Sequence, residues 1–137
     1  EAFNKRAVIQ SAIPGSGGIF SARGLARHYA MLANWGELDG VRILGRPTVD
    51  LMTREVTVNG LGTTADRLSD SHYGIGWGKP GVASPASPLA FGHGGVSGTR
   101  LWIDPAYDLV YVYLTGLWGA PSETIDEVEL ALYGSIE

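Results

Sequence analysis

The spacing of apolar side chains predicts an amphipathic helix in the first third of the chain. A turn-rich segment ends at Ser21, whose hydroxyl suits a helix N-cap. Gly36 lies where a left-handed residue would end the helix. We therefore expect a helix over about 22–35. Its apolar face repeats at i, i+4, i+7 and i+8 and consists of Leu25, Tyr29, Leu32 and Ala33.

A second amphipathic helix is predicted at the C-terminal end. Pro121 and Ser122 suit a helix start, and acidic residues occupy the first turns, where the helix dipole favours them. The predicted apolar face consists of Ile125, Val128 and Leu132. One such helix covers only one face of a sheet, so a second covering layer is needed.

Two alternating segments, 89–103 and 109–116, predict strands joined by a short turn at 104–108. Leu101 and Ile103 share one face of the first strand, whereas Trp102 lies on the other. The second strand is also apolar on both faces. We therefore expect an antiparallel sheet that is covered on both sides by helices.

Between these elements the pattern predicts shorter ones. Asp39-Gly40 favours a tight hairpin turn, and Pro47 is suited to the first turn of a short helix that ends at Arg54. Residues 55–72 are expected to hold a strand fragment and a long loop. The segment 73–78 alternates large side chains with glycine, which predicts a strand with one bare face against which something packs closely.

Composition limits the classes of function. The chain has 137 residues, 45% hydrophobic composition, a net charge of −4 and no cysteine. Its dispersed arginines and lysines argue against nucleic acid as a partner. The longest apolar stretch, 109–120, is too short to span a membrane, and the start at Glu1 resembles neither an initiator methionine nor a signal peptide. No metal or cofactor is expected, because the three histidines form no ligand pair.

The candidate chemistry lies in His93-Gly94-Gly95, at the centre of the segment 91–100. A glycine pair on a strand, beside a titratable side chain, lets backbone N–H groups approach a ligand closely. That arrangement suits an oxyanion site. Glycine pairs also mark bulges, and a single histidine is often structural, so the pattern alone leaves both interpretations open.

The order of four short motifs resembles the C-terminal half of the serine β-lactamase and penicillin-binding protein family, in its class C-like esterase branch. The resemblance covers nearly the whole chain. The motifs are GSGGIFSARGLAR at 15–27, GELDGVRIL at 36–44, YGIGWG at 73–78 and GHGG at 92–95.

This resemblance implies an α+β fold, with a mainly antiparallel sheet and flanking helices, as part of the β-lactamase/transpeptidase-like fold. Residues 1–70 would belong to its helical region, with a short hairpin and a loop. Residues 71–137 would supply the C-terminal strands of the central sheet and the terminal helix. The family resemblance permits a periplasmic or secreted location, although the chain itself indicates none.

The resemblance also implies an acyl-enzyme hydrolase in which His93 stands in the third family motif. The Val96 backbone N–H would then donate to the oxyanion, and Gly94, Gly95 and Ser97 would lie along the substrate. Histidine replaces the lysine of many β-lactamases, which favours ester or peptide substrates over β-lactams.

The two other motifs of the family are absent from the chain. Ala2 and Gly76 stand three places before the only lysines, Lys5 and Lys79, so there is no Ser-x-x-Lys; no tyrosine begins Tyr-x-Asn. We therefore expect the chain alone to be inactive and to require the missing N-terminal half as its partner, acting on a small ester, amide or β-lactam. The alternative is a non-catalytic module that binds a peptide or an acyl ligand.

Overall fold

The computed structural model describes residues 4–11, 13–15, 17–54, 73–81, 84–119 and 121–136. Four helices and five short strands lie in these residues. The helices are α1 (Arg6–Ile9), α2 (Ala22–Ala33), α3 (Arg46–Thr53) and α4 (Glu123–Gly134). The strands are β1 (Glu37–Leu38), β2 (Val41–Arg42), β3 (Phe91–Gly94), β4 (Arg100–Asp104) and β5 (Leu109–Tyr113).

The first predicted helix is confirmed as α2, two residues shorter than expected. The Ser21 hydroxyl accepts a hydrogen bond from the Gly24 N–H at 3.1 Å and so caps its start. The end is a two-residue left-handed cap, because Trp35 has φ 55° and Gly36 has φ 93°. The Gly36 N–H donates to the Met31 carbonyl at 2.8 Å, as in a Schellman motif.

The predicted Asp-Gly hairpin is also confirmed. Asp39 and Gly40 both have positive φ, at 51° and 78°, which is the requirement of a type I′ turn between β1 and β2. Helix α3 follows within one residue of the predicted bounds. The strand fragment and loop expected at 55–72 lie outside the described residues.

The prediction of a single strand over 73–78 is wrong. Tyr73 and Gly78 pair with each other in one antiparallel bridge, so the chain reverses within this segment. Gly76 permits the reversal with φ 83°. The expected close approach is found at Gly74, where an added Cβ atom would lie 2.6 Å from the Met52 carbonyl oxygen.

The prediction of one continuous strand over 89–103 is wrong as well. The chain leaves β3 at Gly94 and returns antiparallel as β4 from Arg100. The break follows from Ser97-Gly98, since Gly98 has φ 73° and begins a bulge that an extended strand does not contain. The glycine pair of the candidate motif therefore stands at a strand end rather than within a strand.

The antiparallel sheet has the order β3-β4-β5, and α2 packs on one of its faces. Directly paired residues share a face, so Phe91, Ile103 and Val110 point together towards α2. Tyr29 and Leu32 of α2 meet them in the core. This face of the sheet is thus covered by the first predicted helix.

Helix α4 covers the opposite face, through the alternate residues of β4. Arg100 binds Asp126 and Glu129 of α4, and the buried Asp104 accepts a hydrogen bond from the Tyr133 hydroxyl at 3.1 Å. The predicted apolar face of α4 is only partly correct. Ile125 is buried, but Val128 is 43% exposed and the buried position beside it is Glu129, because Arg100 draws a carboxylate inward.

The α+β class, with a mainly antiparallel sheet and flanking helices, is confirmed by this architecture. In the described part of the chain, no helix is long and apolar enough to cross a membrane.

Candidate active site

The turn between β3 and β4 determines the geometry of the candidate site. The Gly98 N–H donates to the Gly95 carbonyl at 2.9 Å, which closes a β-turn over residues 95–98. Neither Val96 nor Ser97 has positive φ, so the turn is type I. The Gly95 N–H donates in turn to the Thr99 carbonyl at 2.9 Å. This is a three-residue hairpin loop with a glycine bulge.

A type I turn leaves the N–H groups of its two central residues without partners. Within the described residues, the N–H groups of Val96 and Ser97 make no hydrogen bond. The peptide unit that carries the Val96 N–H also carries the Gly95 carbonyl, which Gly98 holds. The Val96 N–H is therefore a fixed, unpaired donor at the tip of the hairpin, which is what an oxyanion requires.

His93 lies three residues before this donor, on the same face of the sheet as α2. It pairs with Leu101 across the strands and stands beside the ring of Tyr73, with 6.3 Å between the ring centroids. Its Nδ1 lies 2.5 Å from the Gly94 carbonyl oxygen. Because a carbonyl oxygen only accepts, this contact is a hydrogen bond in the tautomer that carries the hydrogen on Nδ1, which leaves Nε2 as an acceptor.

One cleft joins these groups, with a volume of about 590 Å³. It lies between the hairpin, the start of α2 and the segment that follows β5. Of the residues predicted for the site, it brings together His93, Gly95, Val96 and Ser97. Tyr29 forms part of its wall, and burial raises the pKa of that phenol, so the hydroxyl stays protonated.

Gly94, the other predicted site residue, does not line this cleft. It borders a separate cavity of about 530 Å³ on the α4 side of the sheet, because neighbouring residues of a strand face opposite sides. An added Cβ atom at Gly94 would meet only the Thr99 carbonyl oxygen, at an ordinary 3.6 Å. The need for a slim backbone is greater at Gly92, where the Trp102 ring would lie 2.8 Å from such an atom.

An ionic cluster supports the hairpin from the α4 side. Arg100, which pairs with Gly94, donates to Asp126 at 2.7 Å and to Glu129 at 2.5 Å. Burial alone would lower the pKa of Arg100, but these two carboxylates raise it above its ordinary value. Burial, with a further contribution from the nearby Glu129 carboxylate, also raises the pKa of the neighbouring Tyr111. The base of the hairpin is thus held by Arg100 and two carboxylates, of which that of Glu129 is buried and that of Asp126 is half-exposed.

The sequence interpretation missed several wall residues of the cleft. It assigned Tyr29 only to the helix core and gave no role to the apolar residues on either side of the turn. The Ser97-Gly98 pair is a turn signal that could have indicated the turn between β3 and β4. The missed wall residues are Ile19, Phe20, Leu25, Tyr29, Thr99, Leu114, Thr115 and Trp118.

The described residues contain no group of three or more His, Cys, Asp or Glu side chains that would hold a metal ion.

Sequence comparison matches residues 2–134 to the Beta-lactamase family. The chain is similar to the esterase/beta-lactamase LipL of Mycobacterium tuberculosis, with 37% identity over 102 residues, covering 72% of this chain and 22% of that protein. It is also similar to an N-acetylmuramyl-L-alanine amidase of Bacillus subtilis, with 31% identity over 111 residues, covering 75% of this chain and 23% of that protein. The chain therefore spans less than a quarter of the length of either relative.

Two solved structures share the fold. A penicillin-binding protein homolog from Caulobacter crescentus superposes with a TM-score of 0.66 at 23% identity, covering 82% of this chain and 31% of that chain. EstA from Arthrobacter nitroguajacolicus superposes with a TM-score of 0.67 at 24% identity, covering 96% of this chain and 37% of that chain. The predicted β-lactamase/transpeptidase-like fold is thereby confirmed.

Proposed function

The chain belongs to the Beta-lactamase family, and on that basis we propose that it is a segment of a longer serine hydrolase that works through an acyl-enzyme. Its relatives include an esterase/beta-lactamase and an amidase, which supports a carbonyl substrate of the ester, amide or β-lactam class. The segment contributes His93 and the hairpin tip. The nucleophilic serine belongs to the remainder of the protein.

The observation that carries this proposal is the unpaired Val96 N–H at the mouth of a cleft that also contains His93. When a serine attacks a carbonyl carbon, the carbonyl oxygen becomes an anion. A fixed backbone donor stabilises that anion more than it stabilises the neutral ground state, and it needs no reorganisation during the reaction. We assign this role to the Val96 N–H.

His93 takes a separate role in the same cycle. With Nδ1 committed to the Gly94 carbonyl, Nε2 accepts a hydrogen bond from a proton-carrying hydroxyl of the remainder of the protein. Gly95 keeps the strand end narrow beside the substrate, and Ser97 offers a second backbone N–H. Gly94 contributes through its backbone, since it does not line the cleft.

The covalent step needs a nucleophile and a base from outside this chain. The serine Oγ forms a bond to the carbonyl carbon and gives its proton to a neighbouring base. The tetrahedral intermediate then expels the alcohol or amine, which leaves with a proton. Water then cleaves the acyl-serine bond. Neither Ser-x-x-Lys nor Tyr-x-Asn occurs in these 137 residues, so the nucleophile and base lie elsewhere.

The missing N-terminal half is the proposed partner of this segment. The outer edge of β5 pairs with no other strand among the described elements. On the α4 side, the Trp102 Nε1 is buried yet has no acceptor in the described residues. A buried donor without a partner is costly, so a segment that supplies an acceptor would stabilise this face.

A second function is a module that keeps the fold and binds a peptide or an acyl ligand without turnover. The absence of both nucleophile motifs from the chain favours it. The hairpin tip would then grip a ligand carbonyl with the same Val96 donor.

A serine-reactive phosphonate probe distinguishes the two functions. The full-length protein is incubated with the probe, digested and analysed by mass spectrometry, with heat-unfolded protein as the control. An adduct on a serine outside these 137 residues, formed only by folded protein, is the expected result. Folded full-length protein that forms no adduct would support the binding module instead.

A further inference from the structure

The cleft at the hairpin tip is lined by three large apolar side chains that are exposed. Ile19 is 75% exposed, Phe20 64% and Trp118 60%, and all three line the same cleft. Large apolar side chains gathered at one exposed place mark either a ligand site or a surface that another part of the protein covers. These three residues, which we call the apolar wall, come from the approach to α2 and from the segment after β5.

The strand end and the hairpin bring polar groups into the cleft. His93, Ser97 and Thr99 line it there, together with Val96, whose N–H is unpaired within the described residues. The apolar wall comes from other segments of the chain. A ligand that fits this division has a polar carbonyl at one end and an apolar chain at the other. The volume of about 590 Å³ lies within the range of small-molecule sites.

A hydrogen bond links the apolar wall to the oxyanion donor. The Gly119 N–H donates to the Val96 carbonyl at 2.9 Å, and Gly119 has φ 70°, which favours glycine at this position. Trp118 is the preceding residue. This bond holds the segment that carries Trp118 against the residue of the proposed oxyanion donor, and both residues line one cleft.

We propose that the apolar wall binds the acyl chain of a hydrophobic ester whose carbonyl is held by the Val96 N–H. This inference rests on the proposed hydrolase function and assigns its substrate class. Ile19, Phe20 and Trp118 are specificity-determining residues because they contact the acyl chain rather than the reacting carbonyl. Longer acyl chains remove more apolar surface from water at the wall and are hydrolysed with higher kcat/KM.

The test measures kcat/KM of the full-length protein on acetyl, butyryl and octanoyl esters of one phenol. For the unaltered protein, we expect the octanoyl ester to exceed the acetyl ester by about tenfold or more. Trp118→Ala and Ile19→Ala each reduce this octanoyl-to-acetyl ratio by roughly three- to tenfold. The matched control is Ile43→Ala, a 59% exposed isoleucine of the β1–β2 hairpin region that lines none of these cavities and leaves the ratio unchanged.

A failure of the hydrolase function and a failure of the acyl subsite give different results. If the full-length protein hydrolyses none of the esters, the hydrolase function itself is wrong. If it hydrolyses all three without a preference for chain length, or if Trp118→Ala and Ile19→Ala lower all three rates equally, the acyl subsite is wrong while the hydrolase function stands. An equal fall would mean that the apolar wall packs against the rest of the protein.

Discussion

His93 has two neighbours that favour one orientation of its ring. Its Nδ1 lies beside the Gly94 carbonyl oxygen, and the Tyr73 ring stands beside the imidazole. The Gly94 contact favours the tautomer with the hydrogen on Nδ1. A histidine oriented in this way is suited to accept a proton or a hydrogen bond at Nε2 during each turnover.

Replacing this ring tests its role at the residue scale. His93→Ala removes the Nε2 acceptor while leaving the hairpin backbone in place, so kcat of the full-length enzyme should fall roughly 10²-fold. His28→Ala is the matched control, because His28 lies on the exposed surface of α2 outside the cleft. Unchanged ester hydrolysis by His93→Ala would remove His93 from the mechanism.

Elements with strong local signals were predictable from the sequence. The cap at Ser21 and the Asp39-Gly40 turn depend on contacts between near neighbours in the chain, so local patterns specify them. The reversal within 73–78 and the break at Ser97-Gly98 were missed, because alternation outweighed the turn signals of glycine. Both errors place a strand where the chain turns.

The site was predictable only in its centre. The motif around His93 identified the residues at the hairpin tip. The apolar wall of the cleft, however, combines Ile19 and Phe20 with Trp118, which lies about 100 positions later in the chain. No local pattern specifies such a contact. The burial of the Glu129 side chain was missed for the same reason, since its partner Arg100 lies on another element.

The packing of α4 on the sheet predicts a loss of stability at alkaline pH. Burial raises the pKa of Tyr111 and Tyr133, with contributions from Glu129 and Asp104 respectively. An unfolded chain releases these protons near pH 10, whereas the folded protein keeps them. The stabilisation is therefore complete below about pH 10 and is lost as the pH rises above that value.

Urea unfolding of the full-length protein across this range measures the effect. The Tyr111 hydroxyl is buried, so this tyrosine contributes a slope of up to about 1.4 kcal/mol per pH unit in the free energy of unfolding, whereas the more exposed Tyr133 contributes less. Tyr111→Phe should reduce the slope above pH 10 and leave the slope near neutral pH unaltered. A variant with the same alkaline slope as the parent protein would contradict the burial of this hydroxyl against Glu129.

At the scale of the whole molecule, the chain is a recognisable part of a larger architecture. Helices α2 and α4 cover opposite faces of the sheet, yet the edge of β5 and the Trp102 Nε1 remain without partners in the described residues. The relatives are more than four times longer than the matched segment. In the proposed hydrolase, the remainder of the protein would bring the nucleophile to the cleft in which we place the oxyanion donor and the acyl-binding wall.

The most direct test of the account is the removal of one backbone hydrogen at the hairpin tip. Val96 occupies the second position of a type I turn, where proline is favoured, so Val96→Pro keeps the turn and deletes the N–H. Val96→Ala removes the same side chain but keeps the donor. In the full-length enzyme, we predict that kcat of Val96→Pro falls roughly 10²- to 10³-fold below that of Val96→Ala, with similar thermal unfolding. Equal kcat values for the two variants would contradict the assignment of Val96 as the oxyanion donor.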